Sequence, residues 1–156
     1  MPADLREAPG DYSIFIGKKG EQHMNYQERF PVEAGDFASA GEVSATIKQK
    51  LKKIGVAQAL VRRVAIVSYE AELNMIIHSL GGEMVLELSP KEIRIICDDV
   101  GPGIPDISLA MQEGYSTAPE SIRMMGFGAG MGLPNISKNV DDLKIKSDPS
   151  GTRMEI

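Results

Sequence analysis

The chain has 156 residues, of which 42% are apolar and 25% are charged, a composition typical of one globular domain. Its formal net charge of −5 argues against general binding to nucleic acid, which needs a basic surface. The single cysteine, Cys97, excludes an internal disulfide, and one cysteine with two histidines at unrelated spacings makes no zinc signature. The first residues lack an apolar signal core and no apolar run is long enough to span a membrane, so we expect a cytoplasmic protein.

The first third of the chain predicts two short strands and a helix. Period-two alternation predicts a strand over residues 12–16, and after a turn the segment Met24–Val32 supplies a second strand paired with it, which Pro31 restricts to an edge or an end. Apolar residues at spacings of three and four predict one helix over residues 36–54, whose first residue is a good N-cap. Gly55 follows directly, as is common just beyond a helix end.

A second helix is predicted over about residues 57–80, closed by two glycines. Two alternating segments, 83–88 and 92–98, then predict a β-hairpin. Cys97 would lie on the buried face of that hairpin, so we interpret it as a core residue rather than a nucleophile. The apolar stripe of the helix consists of Leu60, Val64, Val67, Ala71 and Met75.

The last third predicts two further helices and a closing hairpin. The helices are expected over residues 106–111 and 133–140, and the segments LKIK and TRMEI pair around a turn at 147–151. This order of elements predicts an α+β fold. We expect a single two-layer α/β sandwich over residues 1–156, with helices on one face of a mixed, mostly antiparallel sheet and the first eleven residues loosely held.

Two glycine clusters stand in the stretch from residue 97 to residue 133. The first holds Gly101 and Gly103, and the second, GFGAGMG, covers residues 126–132. Glycine loses more conformational entropy on folding than any other residue, so dense clusters need a reason. We favour close backbone approach to ligand phosphates, which bind over free N–H groups at glycine-rich loops and helix N-termini.

Three polar residues on the second predicted helix share one face. Glu70, Asn74 and His78 are spaced at i, i+4 and i+8. One interpretation is a solvated helix edge. The other is that Asn74 offers an amide oxygen to Mg²⁺ while Glu70 serves as a general base. Spacing alone leaves both interpretations open.

Asp99 ends a predicted strand beside the first glycine cluster. An acid in this position is either a simple turn former or an acceptor for an exocyclic amine such as that of adenine. The second cluster is only superficially close to the dinucleotide fingerprint G-x-G-x-x-G, because no predicted strand directly precedes it. A Rossmann-type oxidoreductase that binds NAD is therefore kept only as an alternative.

Four segments together resemble the conserved boxes of one ATPase superfamily. YEAELNMIIH, DDVGPGIPD, GFGAGMGLPNI and the GT of the closing hairpin are similar to the N, G1, G2 and final-threonine boxes of the GHKL, or Bergerat-fold, ATPases. Within that superfamily the chain most resembles the anti-sigma-factor serine/threonine kinases, and it is also similar to histidine kinase catalytic domains. The resemblance runs from about Phe30 to the C-terminus.

The resemblance implies a role for each matching residue. Glu70 polarises the attacking hydroxyl or water, Asn74 binds Mg²⁺, and Asp99 reads adenine. Residues 115–127 become an ATP lid, and no firm role follows for His78, for which a structural hydrogen bond is favoured. The remaining implied ATP-binding residues are Gly101, Gly103, Tyr115, Ser116, Thr117, Arg123, Gly128, Ala129, Gly130, Met131, Gly132, Leu133 and Thr152.

The implied function is that of a protein kinase that uses ATP and Mg²⁺ to phosphorylate a serine or threonine on a small antagonist protein and that sequesters a sigma factor. The family resemblance also suggests a homodimer. The alternative is a switch module of the same fold that binds partners when ATP is bound and transfers no phosphate. No phospho-accepting histidine motif precedes the boxes, which argues against a complete sensor histidine kinase.

Overall fold

The computed structural model describes residues 15–16, 24–114, 116, 118, 120 and 132–156. Of the strand predicted over residues 12–16, only the last two residues fall within this part of the chain, and the predicted turn after it lies outside. In chain order the elements are β1 (Phe15–Ile16), β2 (Met24–Val32), a 3-10 turn (Phe37–Ser39), α1 (Glu42–Lys53), α2 (Gln58–His78), β3 (Gly82–Leu88), β4 (Ile93–Asp99), α3 (Ile107–Ala110), α4 (Gly132–Asn139), β5 (Lys144–Asp148) and β6 (Gly151–Glu155).

The strands form a six-stranded sheet in the order β1-β2-β3-β4-β6-β5. Every pairing between the described strands is antiparallel, which corrects the expected mixed sheet. The order of the strands puts β2 between β1 and β3, so β2 as a whole is not at an edge; among the described strands the part of β2 that holds Pro31 pairs only with β3, as a proline requires. A dinucleotide-binding fold is built on parallel strands, and the antiparallel sheet therefore contradicts the oxidoreductase alternative.

The helices α1, α2 and α4 pack on one face of the sheet and enclose the core, as the α+β prediction requires. In α2 the predicted apolar stripe is buried except for Leu60, which is 36% exposed; Val61 takes its place in the core. The helices contribute Ile47, Leu51, Val61, Val64, Val67, Ala71, Met75, Ile76, Leu133 and Ile136, and the sheet contributes Phe30, Val32, Met84, Leu86, Ile95, Cys97 and Met154.

Cys97 is confirmed as a core residue. Its side chain is buried in β4, and burial raises the pKa of the thiol to about 12. No described helix, including the 21-residue α2, has an apolar stretch that would cross a membrane.

The opposite face of the sheet is charged, with two buried apolar residues at its centre. Val85 and Ile96 are cross-strand partners that are 0% and 2% exposed and lie outside the main core. Arg29 pairs with Val85 in the β2–β3 ladder and forms an ion pair with Glu83 on the same face. Long charged side chains thus cover the apolar centre with their alkyl stems.

The helix predicted over residues 36–54 is interrupted, and the prediction of one continuous helix was wrong. Asp36 accepts a hydrogen bond from Ser39 N–H, but this cap belongs to the 3-10 turn. α1 begins only after Gly41, whose φ of 96° lies in the left-handed region. The reason for the break lies in α2, because the carboxylate of Glu72 accepts hydrogen bonds from backbone N–H groups at the start of α1.

Candidate functional site

The second half of α2 and the end of β4 meet at one end of the sandwich. After α2 ends, Leu80 N–H donates to the carbonyl of Val100 over 2.7 Å, and Val100 N–H donates to the carbonyl of Gly81 over 2.9 Å. These two bonds fix the segment after α2 against the segment after β4. The predicted base and the predicted adenine reader are therefore presented on neighbouring elements.

Asp99 is anchored through one of its two carboxylate oxygens. The backbone N–H of Thr152 donates to Oδ1 over 3.0 Å, while no described residue donates to Oδ2. Burial raises the pKa of Asp99, and the Thr152 hydrogen bond offsets part of that rise. The carboxylate is thus held in one orientation with an acceptor oxygen available.

A hydroxyl pair that the sequence interpretation missed supports this arrangement. Ser147 Oγ lies 2.8 Å from Thr152 Oγ1 and also accepts a 2.6 Å hydrogen bond from Ile104 N–H. Ser147 thereby ties the segment after the first glycine cluster to the closing hairpin. Its place in a predicted turn hid this role, since serine is an ordinary turn residue.

The two glycines of the first cluster allow close backbone contact. A Cβ on Gly103 would lie 2.1 Å from the carbonyl oxygen of Asp148, and its φ of 75° is left-handed. A Cβ on Gly101 would lie 3.2 Å from Leu80 N, and its own N–H donates to the carbonyl of Ser150. The glycines serve chain packing at this position, and their predicted contact with a base stays a prediction.

Glu70 and Asn74 lie side by side on α2 against the start of α4. A Cβ on Gly132 would be 3.1 Å from Asn74 Oδ1 and 3.3 Å from Glu70 Oε2. A Cβ at this position would be in tighter than ordinary contact with both groups, so a side chain there would require Asn74 or Glu70 to shift by a few tenths of an ångström. The interpretation of Glu70 and Asn74 as a solvated helix edge is therefore incomplete. Both side chains are half-buried and line a narrow junction between two helices.

A further contact to Glu70 comes from Asn135, which the sequence interpretation did not single out. Asn135 Nδ2 donates to Glu70 Oε1 over 3.4 Å. Asn135 follows Gly132 by three residues, so both lie on the same face of α4. The spacing puts Asn135 on the face of Gly132, but nothing in the sequence pairs it with Glu70.

Comparison with known proteins finds similarity to a serine/threonine-protein kinase and to anti-sigma F factors. A scan against protein-family models finds no match. Serine/threonine-protein kinase RsbT of Bacillus subtilis is 29% identical over 116 residues, covering 72% of this chain and 79% of RsbT. The anti-sigma F factors of Clostridium novyi and Clostridium kluyveri are 34% and 36% identical, and the match covers 54% of this chain and 61% of each of them. The chain is thus similar over most of its length to a serine/threonine-protein kinase, and over about half of its length to anti-sigma F factors.

Two more of the predicted site residues lie within the described part of the chain. Ser116 Oγ accepts a hydrogen bond from Ala118 N–H over 3.1 Å. The side chain of Leu133 is buried in the core, which leaves only its backbone for a ligand. The others lie outside the described residues and their roles stay predictions: Tyr115, Thr117, Arg123, Gly128, Ala129, Gly130 and Met131.

Asn74 fits the role of a magnesium ligand. Within the described ranges there is no group of three or more His, Cys, Asp or Glu side chains that would hold a metal ion by itself. Mg²⁺ keeps several waters and takes phosphate oxygens, so one protein oxygen suits a metal that arrives with a nucleotide. The Asn74 amide accepts and donates no hydrogen bond within the described part of the chain, and it faces the glycine at the start of α4.

His78 is the last residue of α2. Desolvation lowers its pKa. The structural hydrogen bond favoured for it stays a prediction.

A cavity of about 240 Å³ lies at the other end of the sandwich. It opens between the start of α2 and the beginning of β4, with Arg63 and Ile93 among its lining residues. None of the predicted site residues lines it, so it is separate from the site at Glu70, Asn74 and Gly132.

Proposed function

We propose that this chain is a serine/threonine protein kinase and anti-sigma regulatory factor that transfers the γ-phosphoryl group of ATP to a small antagonist protein. The names of its homologues support both the kinase activity and the anti-sigma role. The observation that carries the proposal is the close approach of Glu70 and Asn74 to Gly132. A carboxylate, an amide oxygen and the N-terminus of α4 meet at this point. Phosphoryl transfer needs such groups to position the acceptor and to stabilise phosphate charge.

In phosphoryl transfer a protein mainly positions the reacting groups and stabilises charge. ATP supplies the phosphoryl group, and its Mg²⁺ neutralises phosphate charge when bound. Asn74 would be the protein ligand of that ion. Glu70 orients the acceptor hydroxyl and takes its proton. The N–H groups at the start of α4 favour anionic phosphate oxygens in the same place.

Recognition of adenine is assigned to the other half of the site. Asp99 Oδ2 accepts a hydrogen bond from the exocyclic amine, and Thr152 holds Asp99 and supports the base. A site built around that acceptor discriminates against purines without the amine. The lid over residues 115–127 and Arg123 within it would complete the phosphate contacts.

The test is phosphoryl transfer with γ-labelled ATP and candidate antagonist proteins. We expect label on a serine or threonine of the partner, and Glu70→Gln to reduce transfer at least about 100-fold while ATP affinity is kept. Glu83→Gln, on the charged face of the sheet, is the control and should transfer at the normal rate. Full transfer by Glu70→Gln would show that the base is assigned wrongly.

The alternative of an ATP-dependent binding module gives a different result in the same experiment. Stable association with the partner that requires ATP, without labelled product, would favour a module in which ATP orders the lid.

A sigma factor as the sequestered partner, a homodimer and a cytoplasmic location are part of the same proposal. Co-purification of sigma factors with the ATP-loaded chain tests the first. Light scattering at several protein concentrations tests the second.

A further inference from the structure

We propose that Asn135 is a positioning residue that holds the carboxylate of Glu70 in its working orientation. This inference rests on the proposed function, since it assigns Asn135 to the base of that reaction. The amide of Asn135 donates to Glu70 Oε1, and Oε2 lies against Gly132. One carboxylate oxygen is thus held by the protein, and the other faces the start of α4, where the acceptor hydroxyl must approach.

The orientation of α4 directs Asn135 toward α2. Leu133 and Ile136 flank Asn135 and are buried in the core, which fixes the rotation of the helix about its axis. Gly132 and Asn135 therefore face α2 together, at the spacing of one helical turn. The contact to Glu70 follows from the packing of α4.

The far end of α4 is tied to α2 as well. Asn139 Nδ2 donates to the carbonyl of Asn135 over 2.8 Å, and Arg63 Nε donates to the carbonyl of Asn139 over 2.9 Å. Arg63 belongs to the first half of α2 and Glu70 to its second half, so the two helices are fixed at both ends of α4. The link to α2 at the far end of α4 runs through the backbone carbonyl of Asn139, so it does not depend on the Asn139 side chain.

Holding the carboxylate matters because its terminal torsion is otherwise broad and roughly two-fold. A base that points the wrong way for part of the time does not meet the acceptor, and small misplacements cost large factors in rate. Removal of the Asn135 amide should therefore slow the chemical step while ATP still binds.

The experiment compares Asn135→Ala, Asn135→Asp and the control Asn139→Ala in the full chain. Asn139→Ala removes a hydrogen bond of the same helix without contact to Glu70. For each variant we measure ATP affinity, the melting temperature, and the rate of a single turnover at saturating ATP with the partner that the unaltered chain phosphorylates.

We expect Asn135→Ala to slow transfer about 10- to 100-fold with ATP affinity and melting temperature kept. Asn135→Asp keeps the shape but places a second carboxylate beside Glu70, so it should be at least as slow. Asn139→Ala should transfer at close to the normal rate. A rate loss in Asn139→Ala equal to that in Asn135→Ala would overturn the positioning role, because the effect would then belong to the helix.

Full transfer by Asn135→Ala would also overturn the inference and leave the proposed kinase function intact. If the unaltered chain transfers no phosphate to any partner, the proposed function fails and the positioning role fails with it. The two failures are distinguishable. Failure of the proposed function is seen already in the unaltered chain, whereas failure of the positioning role alone is seen only in Asn135→Ala.

Discussion

The backbone N–H of Thr152 donates to Oδ1 of Asp99 over 3.0 Å and joins residues that are 53 positions apart in the chain. Thr152 is buried, and its hydroxyl is engaged with Ser147. Asp99 is therefore fixed by the closing hairpin rather than by its own strand. Its second oxygen is the acceptor that the proposed adenine recognition requires.

Asp99→Asn should weaken ATP binding by about 1.5–3 kcal/mol, roughly 10- to 150-fold, because an amide replaces a charged acceptor. The hydrogen bond from Thr152 can persist to the amide oxygen, so the melting temperature should change little. Isothermal titration with ATP measures the effect. Asp98→Asn is the matched control, since the neighbouring carboxylate pairs with Arg153 instead; equal losses in both variants would contradict the assignment.

ATP affinity should fall on acidification, and it should begin to fall at a pH above the usual pKa of an aspartate. Burial raises the pKa of Asp99 above its usual 3.8, and only the ionised form is a full acceptor. Binding is therefore present above the raised pKa and is lost as the pH falls through it. The same shift means that ionisation of Asp99 costs stability as the pH rises, so Asp99→Asn should not destabilise the fold at pH 7. Titrations of the unaltered chain and of Asp99→Asn with ATP at several pH values check this. If ATP affinity depends on pH identically in both, a group other than Asp99 causes the dependence.

Glu72→Ala should destabilise the fold by about 2–4 kcal/mol, because it leaves buried N–H groups at the start of α1 without an acceptor. The carboxylate is 2% exposed and accepts from Gly41 at 3.1 Å and from Ser44 at 3.1 Å. Urea unfolding followed by circular dichroism gives the free energy. Glu42→Ala removes an exposed acid from the first turn of the same helix and should have a much smaller effect.

Gly103→Ala should be far more destabilising than Gly55→Ala. Both glycines have a left-handed φ, 75° and 83°, and alanine costs roughly 1–2 kcal/mol in that conformation. Nothing lies within 4 Å of a Cβ on Gly55, whereas a Cβ on Gly103 would overlap the carbonyl oxygen of Asp148. The difference between the two melting temperatures measures the cost of the overlap with the Asp148 carbonyl, since the left-handed φ is common to both. Similar melting temperatures would mean that the closing hairpin can shift away from a Cβ at residue 103 at little cost.

The Cys97 thiol should be unreactive in the folded protein at pH 8, since its pKa is about 12 and the side chain is buried. Titration with a chromogenic disulfide should detect no fast thiol in the native chain and one thiol per chain in denaturant. Rapid reaction without denaturant would show that β4 opens locally.

The local periodicity of apolar residues was sufficient to predict most of the helices and strands. Period-two alternation predicted the hairpin of β3 and β4, because the sheet has one apolar face, and β2 was predicted with its observed bounds as the partner of the strand before it. Period-three-and-four spacing predicted α2. The same pattern failed at residues 36–54, where apolar spacing continues across Gly41 although the helix does not.

The sequence by itself determined the α+β class, the helical spacing of Glu70 and Asn74, and the position of Asp99 at a strand end, since each depends on neighbours a few residues away. Only the tertiary structure decided the break before α1, which depends on Glu72, and the contacts of Asn135 and Ser147 with the predicted site. These three polar residues find partners that are 28, 65 and 5 positions away, and no local period encodes which buried donor meets which acceptor. The packing of α1, α2 and α4 on the sheet determines which donor meets which acceptor.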